Sequence, residues 1–304
     1  MVVVIGEALI DRITDPSGAV HDIVGGGPFN AARALARLGQ PTAFIGGVST
    51  DALGQRIAGE LEAVGVAALL PPRSQLTGVA HAVIDASGSA RYRFELADAA
   101  CSQVTAKDVR AVWPETAPQA VHVGTLGLVL QPLASAVVAV VDSLADSTLL
   151  FVDPNCRPGV IDNPAAYQAS VRHVLSRADV VKVSDEDLAF LAPAVDTLAA
   201  ARALHAASGA LVLLTQGSAG VWVLGHGFED HVRATPVAVV DTVGAGDVFG
   251  AAWLAWWLSH GFGRMDVTNK AAVLEAVHYS TRAAAWTCGR LGAQVPSVAD
   301  LMDM

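Results

Sequence analysis

The stretch DTVGAGDVFGAAWLAWWL, residues 241–258, joins a glycine-rich loop directly to an apolar helix. Free backbone N–H groups and the helix dipole make such a junction a favourable place for an anion. Gly244, Ala245 and Gly246 would let the backbone approach that anion closely, because glycine carries no side chain. Asp247 follows at once, and its charge would repel a phosphate unless it serves another purpose. It either takes a proton from an attacking hydroxyl or caps the helix, and the loop alone leaves both readings open.

Upstream of this loop, short apolar runs alternate with helical patterns. The runs are rich in Val and Leu without strict alternation, as in parallel strands covered on both faces. The alternation predicts a doubly wound α/β sheet, with ligands at the carboxyl ends of its strands. The predicted strands are Val2–Ile5, Thr42–Val48, Ala120–Val123, Leu149–Val152, Val180–Val183 and Leu211–Thr215. The predicted helices are Asn30–Leu38, Leu53–Val64, Leu133–Leu144, Ala165–Arg177, Asp185–Leu191 and Thr197–Ser208.

Two segments, Ala8–Val24 and Thr77–Leu96, break this rhythm with strand-like alternation around turns. The turns are DPSG at 15–18 and DASG at 85–88, and both are typical turn sequences. We interpret the segments as a small antiparallel sheet that leaves the main body, and two ordinary surface hairpins are the alternative. Further along, Gly217–Gly227 and Val232–Val240 also look strand-like. They predict antiparallel strands that finish the main sheet.

A second glycine run, GGGPFN at residues 25–30, also precedes a helix. Asn30 stands at the helix start, where its amide offers both a donor and an acceptor and so suits a polyol. A tight turn with an N-cap is the alternative. Asp11 ends the first strand-like run of this region, and it is either a ligand-binding carboxylate or a turn residue.

Composition limits the classes of protein. The chain has 304 residues, enough for two domains or one large α/β domain. Apolar residues make up 53% and charged residues 16%, which excludes global disorder. The net charge of −10 argues against nucleic acid and anionic membranes as partners, although a small anion could still bind a local patch. Mean hydropathy is +0.45, but the most apolar stretch, Ala120–Val141, is interrupted by His122 and Pro132 and predicts no spanning helix.

The chain start and the cysteines indicate a cytoplasmic protein. MVVVIGEALID lacks a basic segment and predicts a first strand in place of a signal peptide. Three widely spaced cysteines suggest reduced thiols. The histidines, among them His81 and His122, have no metal-ligand spacing. Trp253, Trp256 and Trp257 follow helical spacing, which favours packing over stacking on a base.

The motifs together resemble those of a known family. DTVGAGDVFGAAWL resembles the C-terminal signature of the PfkB, or ribokinase-like, sugar kinases, and GGGPFNAARALARLG with GGVSTDALG resembles the N-terminal signature. The resemblance implies one kinase domain over residues 1–304, with a three-layer α/β/α doubly wound sheet. It also implies a small β lid formed by residues 8–24 and 77–96. The implied reaction moves the γ-phosphoryl group of ATP to a primary hydroxyl of a sugar, with Mg²⁺.

The resemblance assigns roles position by position. It makes Asp247 the general base, and the backbone of Gly244, Ala245 and Gly246 the anion hole for the transferred group. The implied sugar-binding residues are Asp11, Gly25, Gly26 and Asn30. The implied nucleotide loop after a strand contains Thr215, Gly217 and Gly220.

The metal-binding motif departs from the family pattern. Many relatives carry Asn-x-x-Glu, which organises Mg²⁺ and phosphate through water, whereas Ser184 and Asp187 hold those places here. Asp is one methylene shorter, so the metal geometry must shift. Some relatives also bind K⁺, and Asp241 with the Gly289–Ser297 loop lies where that ion would sit.

Two further features resemble the fructokinase and ketodeoxygluconate kinase branch. Ser184 follows Lys182, and DPNCRP at residues 153–158 places Asn155 and Arg157 at a strand end. Arg157 could neutralise phosphate charge or form a surface ion pair. We therefore expect Lys182, Ser184, Asn155 and Arg157 to serve the nucleotide.

The sequence favours a fructokinase-like enzyme over several alternatives. Arg91 and Arg93 in the lid could meet a charged or hydroxylated substrate, which keeps a ketodeoxygluconate kinase open, as does ribokinase. Tyr92 and Phe94 alone are few aromatic residues for a nucleoside kinase. A catalytically silent sugar-binding regulator would not need Asp247. A dinucleotide-dependent dehydrogenase lacks its glycine fingerprint after the first strand. The apolar alternation of Ala80, Ala82 and Ile84 permits a homodimer through the lid.

Overall fold

The computed structural model describes residues 1–15, 17–84 and 90–303. Its strands are β1 (Val2–Ile5), β2 (Leu9–Thr14), β3 (Val20–Gly25), β4 (Thr42–Ile45), β5 (Ala67–Ala68), β6 (Val79–Ile84), β7 (Ala90–Glu95), β8 (Ala120–Gly124), β9 (Leu149–Asp153), β10 (Val180–Ser184), β11 (Leu211–Thr215), β12 (Val221–Gly225) and β13 (Phe228–Val232). Its helices are α1 (Gly27–Arg37), α2 (Ala52–Glu62), α3 (Ala106–Val112), α4 (Leu133–Val141), α5 (Pro164–Arg177), α6 (Asp185–Leu191), α7 (Thr197–Ser208), α8 (Ala245–Ser259), α9 (Lys270–Cys288) and α10 (Val298–Met302).

The main sheet is built on apolar strands that are buried on both faces. Within the described ranges it has nine strands in the order β13-β12-β11-β10-β9-β8-β1-β4-β5. The pairs from β11 through β5 are parallel, whereas β12 and β13 close one edge as an antiparallel hairpin. Every residue of β1 is buried, in keeping with a central parallel strand. The carboxyl ends of β1, β8, β9, β10 and β11 therefore meet along one edge of the sheet.

Helices cover both faces of this sheet. One core lies between the sheet and α1, α2, α8, α9 and α10, and a second lies between the sheet and helices α3 to α7. In α8 the rings of Trp253 and Trp257 are fully buried and stack with centroids 4.8 Å apart. This confirms that these two tryptophans serve packing. Across the described part of the chain, no helix combines the length and hydrophobicity needed to cross a membrane.

A second, smaller sheet contains the two segments that break the α/β rhythm. Its strands run in the order β3-β2-β6-β7. Each hairpin is antiparallel, but β2 and β6 pair in parallel, so the sheet is mixed where the sequence predicted an antiparallel one. The parallel pair arises because both hairpins leave the main body in the same direction. The predicted turn at 85–88 lies outside the described residues, as does Pro16 of the other turn.

Three predicted boundaries shift for identifiable reasons. Helix α1 begins at Gly27, with Pro28 in its first turn, where a missing N–H costs nothing. Strand β4 ends at Ile45 because the chain turns at Gly46 and Gly47, where backbone crowds any side chain. The predicted strand at 232–240 is wrong, since β13 ends at Val232 and the chain then runs without regular structure through Pro236, which cannot donate to a sheet.

Candidate active site

The start of α8 meets the carboxyl edge of the main sheet at Asp247. This residue is 8% exposed, and its carboxylate accepts hydrogen bonds from two amide groups. Asn30 Nδ2 donates at 2.9 Å and Asn155 Nδ2 donates at 3.2 Å. Burial raises the pKa of Asp247, and the Asn30 hydrogen bond and the charges of Lys182 and Arg157 partly offset that rise. The carboxylate is thus fixed in position and more basic than an exposed aspartate.

Glycine is required at two points around this carboxylate. Gly244 has a left-handed backbone with φ 76°, and a Cβ there would lie 2.6 Å from the Cβ of Ala293. At Gly27 a Cβ would overlap the hydroxyl of Thr125 and lie 3.1 Å from Asp247 Oδ1. Both glycines therefore let the chain pass close to the start of α8.

Two non-glycine residues at the site hold left-handed backbone conformations. Thr125 has φ 48° and Asn155 has φ 39°, which is unusual for residues with a side chain and for a β-branched residue above all. Asn155 Nδ2 lies 3.4 Å from Thr125 Oγ1, as well as donating to Asp247. Such strain concentrates at functional sites, where the surrounding structure maintains it. Thr125 is not among the site residues predicted from the sequence, and the neighbouring glycines at 124 and 127 were the available signal for the turn.

A buried ion pair lies beneath the glycine-rich start of α8. Lys182 Nζ contacts both carboxylate oxygens of Asp153, at 3.0 and 3.2 Å. A Cβ on Gly246 would lie 3.0 Å from the same Nζ, so the ammonium sits directly against the first turn of α8. Burial lowers the pKa of Lys182, but the carboxylates of Asp153, Asp187 and Asp247 outweigh burial and leave the pKa raised. A fixed positive charge therefore adds to the helix dipole at this point.

The Ser184 and Asp187 pair forms a capping box at the start of α6. Asp187 Oδ2 accepts from the backbone N–H and the hydroxyl of Ser184, both at 2.8 Å. Asp187 Oδ1 accepts from the N–H of Cys156 at 2.6 Å, which ties α6 to the segment carrying Asn155. Three donors thus occupy a carboxylate predicted to serve a metal, and a direct metal bond would compete with them. Among the described residues, no group of three or more His, Cys, Asp or Glu side chains could hold a metal ion.

Asp11 and Arg157 stand on the side of Asp247 that faces the small sheet. Burial raises the pKa of Asp11 to about 6, and the charge of Arg157 lowers it while that of Asp247 raises it. Any side chain on Gly25 would overlap the Asp11 carboxylate. The exposed Arg157 donates to the carbonyls of Asn155 and Cys156, at 3.3 and 3.2 Å. A half-buried acceptor and an exposed cation thus flank the carboxylate of Asp247.

The predicted nucleotide loop follows β11 at the same edge of the sheet. Thr215 donates to the carbonyl of Val183 at 3.3 Å, and a tight turn follows at Gly217–Ala219. Gly220 has φ 103°, and a side chain there would overlap the Val232 carbonyl. Nearby, the carboxylate of Asp241 accepts from the N–H groups of Val243 and Gly292, at 3.0 and 2.8 Å. Asp241 therefore joins the anion-binding loop to the 289–297 loop.

Arg93 is not brought to this site, so the expected contact with substrate is not supported. Strand register places Arg93 opposite His81, on the face of the small sheet that does not carry Asp11. Its guanidinium pairs with Glu95 at 2.6 Å and is largely exposed. Alternation along a strand sends neighbouring side chains to opposite faces, and the sequence did not show which face looked inward. The side chain of Arg91 lies outside what the structure describes.

Glu7 is a functional candidate that the sequence analysis did not select. It is completely buried, and its two carboxylate oxygens accept from the N–H groups of Gly27 and Gly127, at 3.2 and 3.0 Å. Burial raises its pKa to about 8. A charged residue between a buried strand and another apolar run was the available signal.

A buried carboxylate beside a glycine-rich helix start is an arrangement suited to phosphoryl transfer to a hydroxyl. The chain belongs to the pfkB family of carbohydrate kinases, whose family model matches residues 1–300. It is therefore a sugar kinase with a ribokinase-like fold, as the two sequence signatures predicted.

Comparisons with known proteins agree with this assignment. The fructokinase of Rhizobium leguminosarum bv. trifolii is 34% identical over 264 residues, covering 84% of this chain and 79% of that protein. The fructokinase of Klebsiella pneumoniae is 32% identical over 293 residues, and the match covers 95% of this chain and 91% of that protein. The crystal structure of fructokinase from Vibrio cholerae O395, in its fructose, ADP and calcium ion bound form, has a TM-score of 0.87. That protein is 27% identical, and the match covers 99% of this chain and 97% of the other.

Proposed function

We propose that this sugar kinase phosphorylates fructose on a primary hydroxyl, with ATP as the phosphoryl donor. The observation that carries the proposal is the Asp247 carboxylate, held by two amides at the anion-binding start of α8 and facing Asp11. The similar fructokinases, and the fructose and ADP bound in the Vibrio cholerae structure, support the choice of sugar.

In this mechanism Asp247 takes the hydroxyl proton as the sugar oxygen attacks the γ-phosphorus. A new P–O bond to the sugar forms while the bond between the γ-phosphorus and the bridging oxygen breaks, and ADP leaves with that electron pair. The backbone N–H groups of residues 244–246 stabilise the charge on the transferred group. The buried ammonium of Lys182 strengthens that site from beneath the loop.

The sugar is bound by groups that converge on Asp247. Asp11 accepts hydrogen bonds from sugar hydroxyls, while Gly25 and Gly26 let the sugar approach the backbone. Asn30 donates to Asp247 with its Nδ2, but its buried Oδ1 has no hydrogen-bond partner among the residues that the structure describes. An unpaired buried acceptor is costly, and a sugar hydroxyl would satisfy it. This orphaned oxygen supports a polyol as the ligand.

ATP and its cation occupy the rest of the edge. Thr215, Gly217 and Gly220 form the nucleotide loop, with Ser184 and Arg157 nearer the phosphates. When bound, Mg²⁺ neutralises charge on the phosphates. Because donors occupy the Asp187 carboxylate, we propose that Asp187 serves the metal through water and fixes the Asn155 segment. K⁺ would rest on backbone carbonyls of the loops that Asp241 joins.

The small sheet is proposed to be the lid over the sugar and the contact between two copies of the chain. Ala80 and Ala82 are buried on the Asp11 face, so they do not provide a free dimer surface. Val20 and Val83 are 57% and 50% exposed on the opposite face, which is the face available for a second copy.

A sugar acid is the second candidate substrate. Arg157 is exposed beside Asp11 and could pair with a carboxylate, as a ketodeoxygluconate kinase requires. Ribose is retained as a further substrate to be compared.

An ATP-consumption screen tests the proposal. Purified protein is offered fructose, ribose, ketodeoxygluconate, inositols and nucleosides, each with and without Mg²⁺. Fructose should give the highest kcat/KM, and turnover should stop without the metal. A higher value for another sugar, or turnover that is independent of Mg²⁺, would contradict the proposal.

A further inference from the structure

Three chain segments meet beside the catalytic carboxylate, and the Glu7 side chain lies between them. The first segment, residues 6–8, carries the chain from β1 into the small sheet. The second, residues 25–27, returns from β3 and opens α1, which carries Asn30. The third is the 3₁₀ turn Thr125–Leu128 after β8. A hydrogen bond between any two of these segments therefore acts on both the small sheet and the site.

The Glu7 carboxyl group makes two such bonds. Its Oε1 accepts from Gly27 N–H at 3.2 Å, and its Oε2 accepts from Gly127 N–H at 3.0 Å. Both donors are backbone groups, and the carboxyl group is completely buried. Ionisation of such a group is costly, and burial raises the pKa of Glu7 to about 8. An apolar residue would fill the space without that cost, so packing alone does not explain a glutamate here.

The three segments are packed so closely that their backbones have little room to rearrange. A Cβ on Gly6 would collide with the ring of Pro28, and a Cβ on Gly26 would lie 2.7 Å from the Glu7 carbonyl oxygen. On the other side, a Cβ on Gly27 would lie 3.1 Å from Asp247 Oδ1 and 3.3 Å from Asn155 Nδ2. The backbone of Gly27 therefore contacts the Glu7 carboxyl group on one side and lies close to Asp247 and its amide partner on the other.

We propose that Glu7 is a positioning residue, which holds the start of α1 and the Thr125 turn against the first crossing to the small sheet. Through Gly27 it sets the place of Asn30, and through Gly127 it sets the place of Thr125 and hence of Asn155. Glu7 thereby aligns both amide donors on Asp247 and couples the small sheet to the base. The inference rests on the proposed function, because sugar turnover is its readout.

The test compares Glu7→Gln with Asp179→Asn. Glutamine keeps the size of the side chain but turns an N–H donor toward one of the two backbone donors. Asp179 is the matched control because its buried carboxylate also accepts a backbone N–H, from Leu150 at 2.7 Å, at the amino-terminal end of β10. Each variant is assayed at a temperature where its circular dichroism spectrum equals that of the unaltered enzyme.

Glu7→Gln should raise the fructose KM by about tenfold and lower kcat by about tenfold, because small misplacements of reacting groups are costly. The ATP KM should change little. More ATP should be hydrolysed per sugar phosphate formed, since the small sheet would no longer close in the correct position over Asp247. Asp179→Asn should leave the fructose KM and that ratio unchanged. The proposal would be overturned if Glu7→Gln had the same fructose KM and the same ratio of ATP hydrolysed to sugar phosphate formed as the unaltered enzyme. It would also be overturned if Asp179→Asn changed both quantities in the same way as Glu7→Gln.

Amide hydrogen exchange in the unaltered enzyme gives an independent measure if Glu7→Gln does not fold. Peptides that cover residues 25–29 and 125–129 should be protected, and fructose should slow exchange in both together. Independent responses of the two peptides would overturn the role of Glu7. If the unaltered enzyme did not phosphorylate fructose, the choice of fructose as substrate would be wrong. The exchange experiment would then be repeated with the sugar that the enzyme does phosphorylate.

Discussion

Single residues at this site owe their chemistry to what surrounds them. Asp247 is ordinary as an amino acid, but two amide donors hold its carboxylate and burial raises its pKa. A raised pKa makes the carboxylate a stronger base toward a sugar hydroxyl. The two donors also fix the orientation of the carboxylate.

The base assignment predicts the effect of Asp247→Asn. This variant keeps size and hydrogen-bonding capacity but cannot take the proton, so kcat should fall by about 10²–10⁴-fold. Calorimetric titration should show nearly unchanged affinities for ATP and fructose. More than about half of the original kcat would contradict the role of general base.

The raised pKa of Asp11 predicts that sugar binding depends on pH. Its pKa is raised to about 6 from the ordinary aspartate value of 3.8, so the carboxylate is ionised above this range and protonated below it. An ionised carboxylate accepts sugar hydroxyl protons best, so fructose affinity should be constant above about pH 7 and fall as pH drops below 6. The dissociation constant is measured by calorimetry without ATP.

Asp11→Asn provides the control for that pH dependence. Its affinity should be lower by tenfold or more at neutral pH, from the loss of about 1–3 kcal/mol per unmade hydrogen bond. It should also show no change across pH 5–7. A flat profile for the unaltered protein would place Asp11 outside the sugar pocket.

Among the secondary-structure elements, α8 has a first turn whose ability to present N–H groups depends on backbone conformation more than on side chains. Gly244 precedes the helix with φ 76°, and Ala293 leaves no room for a Cβ. The turn can therefore present its N–H groups to a phosphate only while the position is glycine.

A pair of glycine variants separates backbone strain from this local crowding. Gly209 ends α7 with φ 71° and has open space around it, so Gly209→Ala carries the same backbone cost without a clash. Gly244→Ala should lower kcat/KM for ATP by at least about 10²-fold, in line with loss of an oxyanion-hole donor. Gly209→Ala should lower Tm without altering kcat/KM. Equal kcat/KM values for the two variants would contradict the anion-hole assignment.

For the molecule as a whole, we expect the small sheet to control the access of water to Asp247. The Asp11 face of that sheet carries Ala80 and Phe94, and Phe94 approaches Gly159 beyond the Asn155 segment. Closure over a bound sugar would exclude water from a base that stands next to ATP.

Sugar should therefore raise ATP consumption well above the sugar-free rate, and it should protect the small sheet. Amide hydrogen exchange in peptides covering residues 9–14 and 79–83 should slow when fructose binds and should not slow with ATP alone. The main-sheet peptide 211–215 serves as the control, and its exchange should not respond to fructose. A sugar-free ATPase rate equal to the kinase rate, or a small sheet that does not respond, would contradict closure.

Features that depend on a local pattern of residues could be predicted from the sequence alone. Apolar runs such as Val2–Ile5 and Leu211–Thr215 became strands, because a chain buried on both faces must be apolar throughout. The loop at 241–247 and the run at 25–30 identified the sugar kinase family, because an anion-binding helix start needs glycine at fixed spacing. These properties act over a few residues and can be read from one segment at a time.

The tertiary structure alone decided which distant residues meet. Asn30 and Asp247 are joined although 217 positions separate them, and Asp187 accepts from the N–H of Cys156, which lies 31 positions away. Arg93 faces away because strand register, which no local pattern specifies, sets the face of each side chain. The hydrogen bonds from Gly27 and Gly127 to Glu7 likewise form only in the folded chain, so no local pattern indicated them. A buried polar group is defined by its partners, and those partners come together only when the whole chain folds.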